Sequence, residues 1–91
     1  MTLEAYRMLI DGQWVDAGDG GCFESVDPAT NQPWATIPEA TEADINTAVE
    51  AAHRAQTTGP WSSMTPSQRG KTLGKLGDLL AAHSEHLGRI E

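Results

Sequence analysis

Up to Pro38 the apolar residues of this chain come in short runs separated by turn formers; from Thr41 onward they recur at helical spacing. The first part therefore reads as strands and turns. Tyr6 to Ile10 is the first predicted strand. Asp11-Gly12 follows, two residues able to take φ > 0 and the strongest short hairpin signal, and Gln13-Trp14-Val15 is the return. Gly18-Asp19-Gly20-Gly21 is a flexible connection. Phe23 to Val26 is another short strand, ended by the turn pair Asp27-Pro28. Asn31-Gln32-Pro33 turns the chain again, and Trp34 to Ile37 is the last strand, closed by Pro38.

The second part is helical. Thr41 and Asp44 form a capping-box-like start, and Ile45, Ala48, Val49, Ala52 and Ala55 share one helical face. The small residues of that face predict close packing against a neighbour. Thr57-Thr58-Gly59-Pro60 ends this helix. A second start follows, with Thr65 as cap, Pro66 at the first helical position and Gln68 at the capping-box position. Leu73, Leu76, Leu80, Leu87 and Ile90 form an apolar stripe, with His83 at the step between Leu80 and Leu87. Gly70, Gly74 and Gly77 each weaken a helix interior by roughly 1 kcal/mol relative to Ala, so this helix needs tertiary packing. The two helices are expected to form an antiparallel hairpin through Gly59-Pro60-Trp61. Ile45, Val49, Leu73, Leu76 and Leu80 would then face inward.

Composition narrows the function classes. Ninety-one residues make one small domain or part of a larger one. The formal net charge of −7, with single scattered Lys and Arg, argues against nucleic acid as a partner. No apolar run is long enough to cross a membrane, and no basic n-region followed by an apolar core marks a signal peptide. The single cysteine forms no internal disulfide. The expected location is cytoplasmic.

Each candidate for chemistry has a structural alternative. Gly18 to Gly21 lacks the G-x-G-x-x-G spacing and a following helix, so a strand connection is favoured over a phosphate cradle. Cys22 follows a glycine loop and has Asp19 and Glu24 nearby, a poor setting for a thiolate; a half-buried filler is the preferred reading. His83 and His86 stand at i and i+3 without H-E-x-x-H spacing or an evident third ligand, so structural histidines are favoured over a metal site. Gly70-x-x-x-Gly74 sits in a helix carrying Lys71, Lys75 and Asp78, which reads as close packing rather than membrane dimerisation. Trp14, Trp34 and Trp61 are too many large rings for so small a chain to cover, and point either to a partner or to missing surroundings.

One combination of elements is specific. Ile10-Asp11-Gly12-Gln13-Trp14, Asp27-Pro28-Ala29-Thr30, Ala40-Thr41-Glu42-Ala43-Asp44, Gly59-Pro60-Trp61 and Arg69 to Leu73 follow one another in an order and spacing that resemble the N-terminal segment of NAD(P)-dependent aldehyde dehydrogenases. The likeness covers Met8 to Glu91. It departs at Asp27, where Asn is usual, and at Asn31-Gln32, where Gly-Glu is common.

The resemblance implies an α/β parent fold. This chain would be an α+β piece of the cofactor-binding domain, with strands and turns over 6–38, a first helix over 41–58 and a second over 65–91. In that family a cysteine thiolate attacks the aldehyde, hydride passes to NAD or NADP and a glutamate activates water, giving the carboxylic acid. The nucleophile, the glutamate and the Gly-rich cofactor turn lie downstream, so the resemblance implies no catalytic and no cofactor-binding residue here. It also implies that the backbone carbonyls of Ser25 and Val26 contribute to a monovalent-cation site, incomplete in this chain. The partners it implies are a small aldehyde and, for the parent enzyme, further copies in a homodimer or homotetramer. The expected status is an inactive scaffold piece: a truncated gene product, part of a longer sequence or a pseudogene product. A second class stays open, a self-contained interaction module presenting Trp14, Trp34 and Trp61.

Overall fold

The computed structural model describes residues 3–91. The chain divides into two units, one through Arg54 and one from Ala55 to Glu91.

The first unit contains β1 (Glu4–Ala5), β2 (Met8–Ile10), β3 (Gln13–Val15), β4 (Cys22–Asp27), β5 (Gln32–Pro38) and most of α1 (Glu42–Thr58). The strand expected over Tyr6 to Ile10 is two strands. β1 pairs in parallel with β5, while β2 pairs antiparallel with β3. Tyr6 and Arg7 carry the chain from one sheet to the other, so no single strand can span them. The hairpin forms as expected. Asp11 and Gly12 have φ of 53° and 74°, the paired positive values of a type I′ turn whose twist matches the flanking strands.

The larger sheet has the order β1-β5-β4. Its centre is Ala35, fully buried, with Glu4 on one side and Ser25 on the other. Only Ala17 is comparably covered among the other described hydrophobic residues. The turn between β4 and β5 is tighter than the sequence suggested. Asp27 Oδ1 accepts from Ala29 N at 2.8 Å, the Asp27 carbonyl accepts from Asn31 N at 2.7 Å, and Asn31 takes φ of 58°. Gln32 and Pro33 therefore already belong to β5 rather than to the turn.

α1 begins with the expected cap. Thr41 Oγ1 accepts from Asp44 N at 3.2 Å, and Asp44 Oδ2 accepts from Thr41 N at 2.8 Å. The face it covers shares only Ala48 with the expected one. Asp44, Ala48 and Ala51 are half-buried, whereas Ile45, Val49, Ala52 and Ala55 are exposed. Asp44 also accepts from Gly18 N at 2.9 Å, which turns its own side of the helix toward the loop after β3. The broader apolar face is left open. Gly59 then ends α1 at a crowded point. A Cβ there would stand 2.7 Å from the Ala55 carbonyl oxygen, so only glycine fits.

The second unit contains α2 (Pro60–Ser63), α3 (Pro66–Ala82) and α4 (Ser84–Ile90). α3 has the full capping box: Gln68 N donates to Thr65 Oγ1 at 3.2 Å and Thr65 N to Gln68 Oε1 at 2.9 Å. The helix expected over 65–91 is interrupted at His83, where φ is −111° and ψ 18°. Glu85 lies in the first turn of α4 and Arg89 in its last, each favourable to the helix dipole, and the two form an ion pair. Leu73, Leu76 and Leu80 are exposed, which corrects the expectation that they face inward. Gly70, Gly74 and Gly77 open onto empty space, so no described residue uses their lack of a side chain.

Candidate functional site

The densest polar and aromatic arrangement lies across β1, β5 and β4. The ladder between β4 and β5 slips at one step: Ser25 stands opposite Ala35, Val26 opposite Pro33, and Trp34 is the extra residue between. The bulge turns the Trp34 ring onto two neighbours. Its Nε1–H donates to Ser25 Oγ at 3.0 Å, and its face meets the edge of Tyr6, with ring centroids 5.9 Å apart and planes at 67°. Glu4 accepts a hydrogen bond from the Tyr6 hydroxyl, which holds that phenol above its ordinary acidity range.

The Ser25 and Val26 carbonyls sit at this fault. Pro33, opposite Val26, has no N–H to give. The next carbonyl, that of Asp27, is committed to Asn31 N. Backbone carbonyl oxygens are neutral, hard donors, of the type that alkali cations take and transition metals do not favour. Among the described residues no group of three or more His, Cys, Asp or Glu side chains is placed to hold a metal ion.

Cys22 is exposed, which corrects the half-buried filler. It opens β4 at the border of a concavity of about 220 Å³ that Tyr6, Ala17, Gly21 and Thr36 also line. No histidine or cationic side chain lines it, so nothing there activates a thiol.

The glycine loop carries no phosphate cradle. Gly18 N donates to Asp44, Gly20 N to the Ala17 carbonyl at 2.8 Å and Gly21 N to Asp19 Oδ1 at 2.8 Å. These amides are used inside the protein and are not free to ring an anion. His83 and His86 are exposed on the second unit. Trp14 is 63 % exposed, whereas Trp34 and Trp61 are half-buried.

Sequence reasoning gave Asp44 a cap and missed its second bond, to Gly18, because 26 residues separate them. It also missed the Tyr6–Trp34–Ser25 cluster. Pro33 beside a bulky aromatic was the available signal, since proline inside a strand marks an edge or a bulge.

Comparison with known proteins completes the picture. The model of the aldehyde dehydrogenase family matches residues 14–91. An aldehyde dehydrogenase of Aspergillus niger is 43% identical over 84 residues, 92% of this chain and 17% of its own length. An aldehyde dehydrogenase from Bacillus cereus, solved in complex with NAD+, superposes with a TM-score of 0.90 at 42% identity, covering 94% of this chain and 18% of that one. An NAD-dependent aldehyde dehydrogenase from Sinorhizobium meliloti gives a TM-score of 0.91 at 37% identity, covering 98% and 18%. The chain thus spans less than a fifth of the length of these relatives.

Proposed function

Because the chain belongs to the aldehyde dehydrogenase family, we propose that it is the N-terminal scaffold of an NAD(P)-dependent enzyme that oxidises an aldehyde to a carboxylic acid in the cytoplasm, and that these 91 residues alone are catalytically silent. The observation that carries this is surface. The chain exposes 7396 Å². Two separate self-contained bodies of the sizes of its two units would together expose roughly 6200 Å² by the usual area–mass scaling. No side chain larger than alanine is buried among the described residues. Such a chain has the strands, caps and turns of a fold and lacks a core of its own, which is how a covering layer behaves apart from what it covers.

In the proposed whole enzyme a cysteine thiolate attacks the aldehyde carbonyl, and NAD or NADP accepts the hydride. Cys22 is not that cysteine: it lies on an edge strand, and no histidine or cationic side chain lines the concavity it borders. What these residues contribute is position. The β4–β5 pair and α1 present an apolar side to the remainder of the domain. The Ser25 and Val26 carbonyls supply two oxygens of a monovalent-cation site that carboxylate and carbonyl groups beyond this chain complete. The test is a segment exchange. The Bacillus cereus relative, given these residues in place of its own matching segment, should fold and retain NAD-dependent aldehyde oxidation. A chimera that folds with its full cofactor affinity and has no activity would refute the scaffold reading.

A further inference from the structure

We propose that Asp11-Gly12 is a site of spontaneous main-chain modification, at which Asp11 converts to isoaspartate, and that the ion pair from Arg54 restrains the conversion. This stands apart from the dehydrogenase reading and concerns the chemistry of the β2–β3 turn itself.

The reaction joins a carboxyl carbon to the amide nitrogen of the next residue. Gly12 N attacks Asp11 Cγ, one carboxyl oxygen leaves as water, and a succinimide ring closes. Water then opens the ring at either carbonyl. Opening at the former side-chain carbonyl restores aspartate. Opening at the former main-chain carbonyl leaves the chain running through Cβ, with the α-carboxylate free. The net change is an isomerisation, and water lost in one step is regained in the other. Glycine in the second position favours it, because any side chain there crowds the attacking nitrogen.

The sequence holds two such pairs, Asp11-Gly12 and Asp19-Gly20. They differ in what their groups already hold. At Asp19 both reacting groups are engaged: Gly20 N donates to the Ala17 carbonyl at 2.8 Å, and Asp19 Oδ1 accepts from Gly21 N at 2.8 Å. Ring closure there breaks both bonds. At Asp11 the nitrogen is open. Gly12 lies in the turn between β2 and β3, its N–H donates to no described residue, and a Cβ built on it would meet nothing within 4 Å. The hairpin has three residues in each strand, a size that opens readily.

The restraint at Asp11 is on the carboxylate. Arg54, 43 residues along the chain on α1, donates Nη2–H to Asp11 Oδ2 at 2.9 Å. The carboxylate must part from this guanidinium before Cγ can turn to Gly12 N and an oxygen can leave. Both side chains are more than half exposed, so the pair is open to screening by salt and slows the reaction by a small factor. The product matters to the fold. Isoaspartate adds a methylene to the main chain of a two-residue turn, and the length of that turn sets Leu9 opposite Trp14 and Ile10 opposite Gln13.

The test ages the whole chain in mildly acidic buffer, at low salt and in about 1 M NaCl, where exposed charge pairs are screened. Peptide mapping by fragmentation between Cα and Cβ locates isoaspartate, and methyl transfer from labelled S-adenosylmethionine by an isoaspartyl methyltransferase counts it. Isoaspartate should accumulate at residue 11 well ahead of residue 19. Arg54→Met should speed conversion at residue 11 about two- to five-fold, the range an exposed ion pair supports, and leave residue 19 unchanged. High salt should bring the parent chain toward the rate of Arg54→Met and leave that variant unaffected. An Asp19 that converts as fast as Asp11, or an Asp11 that does not convert, overturns the site. Equal rates in the parent and Arg54→Met, or a parent rate indifferent to salt, overturn the restraint. The salt comparison uses the unaltered chain, so it decides the role of Arg54 even where the substitution disturbs the fold.

Discussion

Asp44, at the start of α1, accepts the backbone N–H of Gly18 at 2.9 Å and that of Thr41 at 2.8 Å through the same carboxylate oxygen. One side chain thereby caps a helix and fastens the connection between β3 and β4 to it. A Cβ on Gly18 would approach Asp44 Oδ1 to 3.1 Å, so the loop can come this close because residue 18 is glycine.

These bonds favour the ionised carboxylate. The Gly18 amide and then the Thr41 amide hold Asp44 below its ordinary value of 3.8. A depressed folded-state value stabilises the fold fully above the unfolded value and loses that effect as pH falls through the folded one. Asp44→Asn should therefore be less stable than the parent at neutral pH, with the difference closing below about pH 3.8 as the parent's own carboxylate takes up its proton. Thermal melts of both proteins between pH 7 and pH 2.5 measure this. A gap that stays constant over that interval would contradict it.

The helix glycines offer the opposite kind of change. Gly70, Gly74 and Gly77 face open space in α3, so alanine meets nothing and gains helix propensity. Each Gly→Ala substitution should stabilise the chain by roughly 1 kcal/mol, and Gly70→Ala with Gly77→Ala by nearly the sum. Urea unfolding with an unchanged m-value is the check. A loss of stability at Gly74 would show that its surface is occupied.

Thr65 tests the cap of the same helix. Its hydroxyl accepts from Gln68 N and its own N–H donates to the Gln68 side chain. Thr65→Ala should cost about 1 kcal/mol, and Thr65→Ser much less, because serine keeps the acceptor oxygen. Equal losses in the two variants would mean that the methyl group, and not the hydroxyl, carries the effect.

Cys22 separates exposure from reactivity. Cys22 is open to solvent, and no histidine or cationic side chain lines the concavity it borders. The native chain should react with a thiol reagent at the rate of an ordinary unstructured cysteine and show no NAD(P)-dependent oxidation of any aldehyde. A turnover above buffer that vanishes in Cys22→Ala would make Cys22 a nucleophile.

Local chemistry was legible in the sequence wherever a few adjacent residues decide it. Asp11-Gly12 gave the hairpin, Thr41 with Asp44 and Thr65 with Gln68 gave the caps, and Asp27-Pro28 gave a turn. Failures came where distant residues decide. Periodicity points the face of α1 through Ile45 and Val49, yet Asp44, Ala48 and Ala51 are the half-buried positions, on the side that Gly18 bonds. Periodicity finds an apolar stripe and does not say whether anything covers it, which is why Leu73, Leu76 and Leu80 were placed inside. The stripe also concealed the restart at His83, because the a and d spacing runs unbroken through it. For the candidate site, Ser25 and Val26 were named through family likeness, while the ladder slip that distinguishes them follows from Pro33 and Trp34.

The pairing of β1 with β5 has a consequence for how the chain assembles. Glu4 and Ala5 are made some thirty residues before their partners Ala35 and Thr36, and the pairing is parallel. Such a contact closes a long loop and so forms late, after the β4–β5 hairpin has its local turn. Until then β5 shows a bare row of amide and carbonyl groups, the kind of edge on which strands of other molecules add. Once paired, Glu4 and Ala5 close this edge of β5 to strand addition.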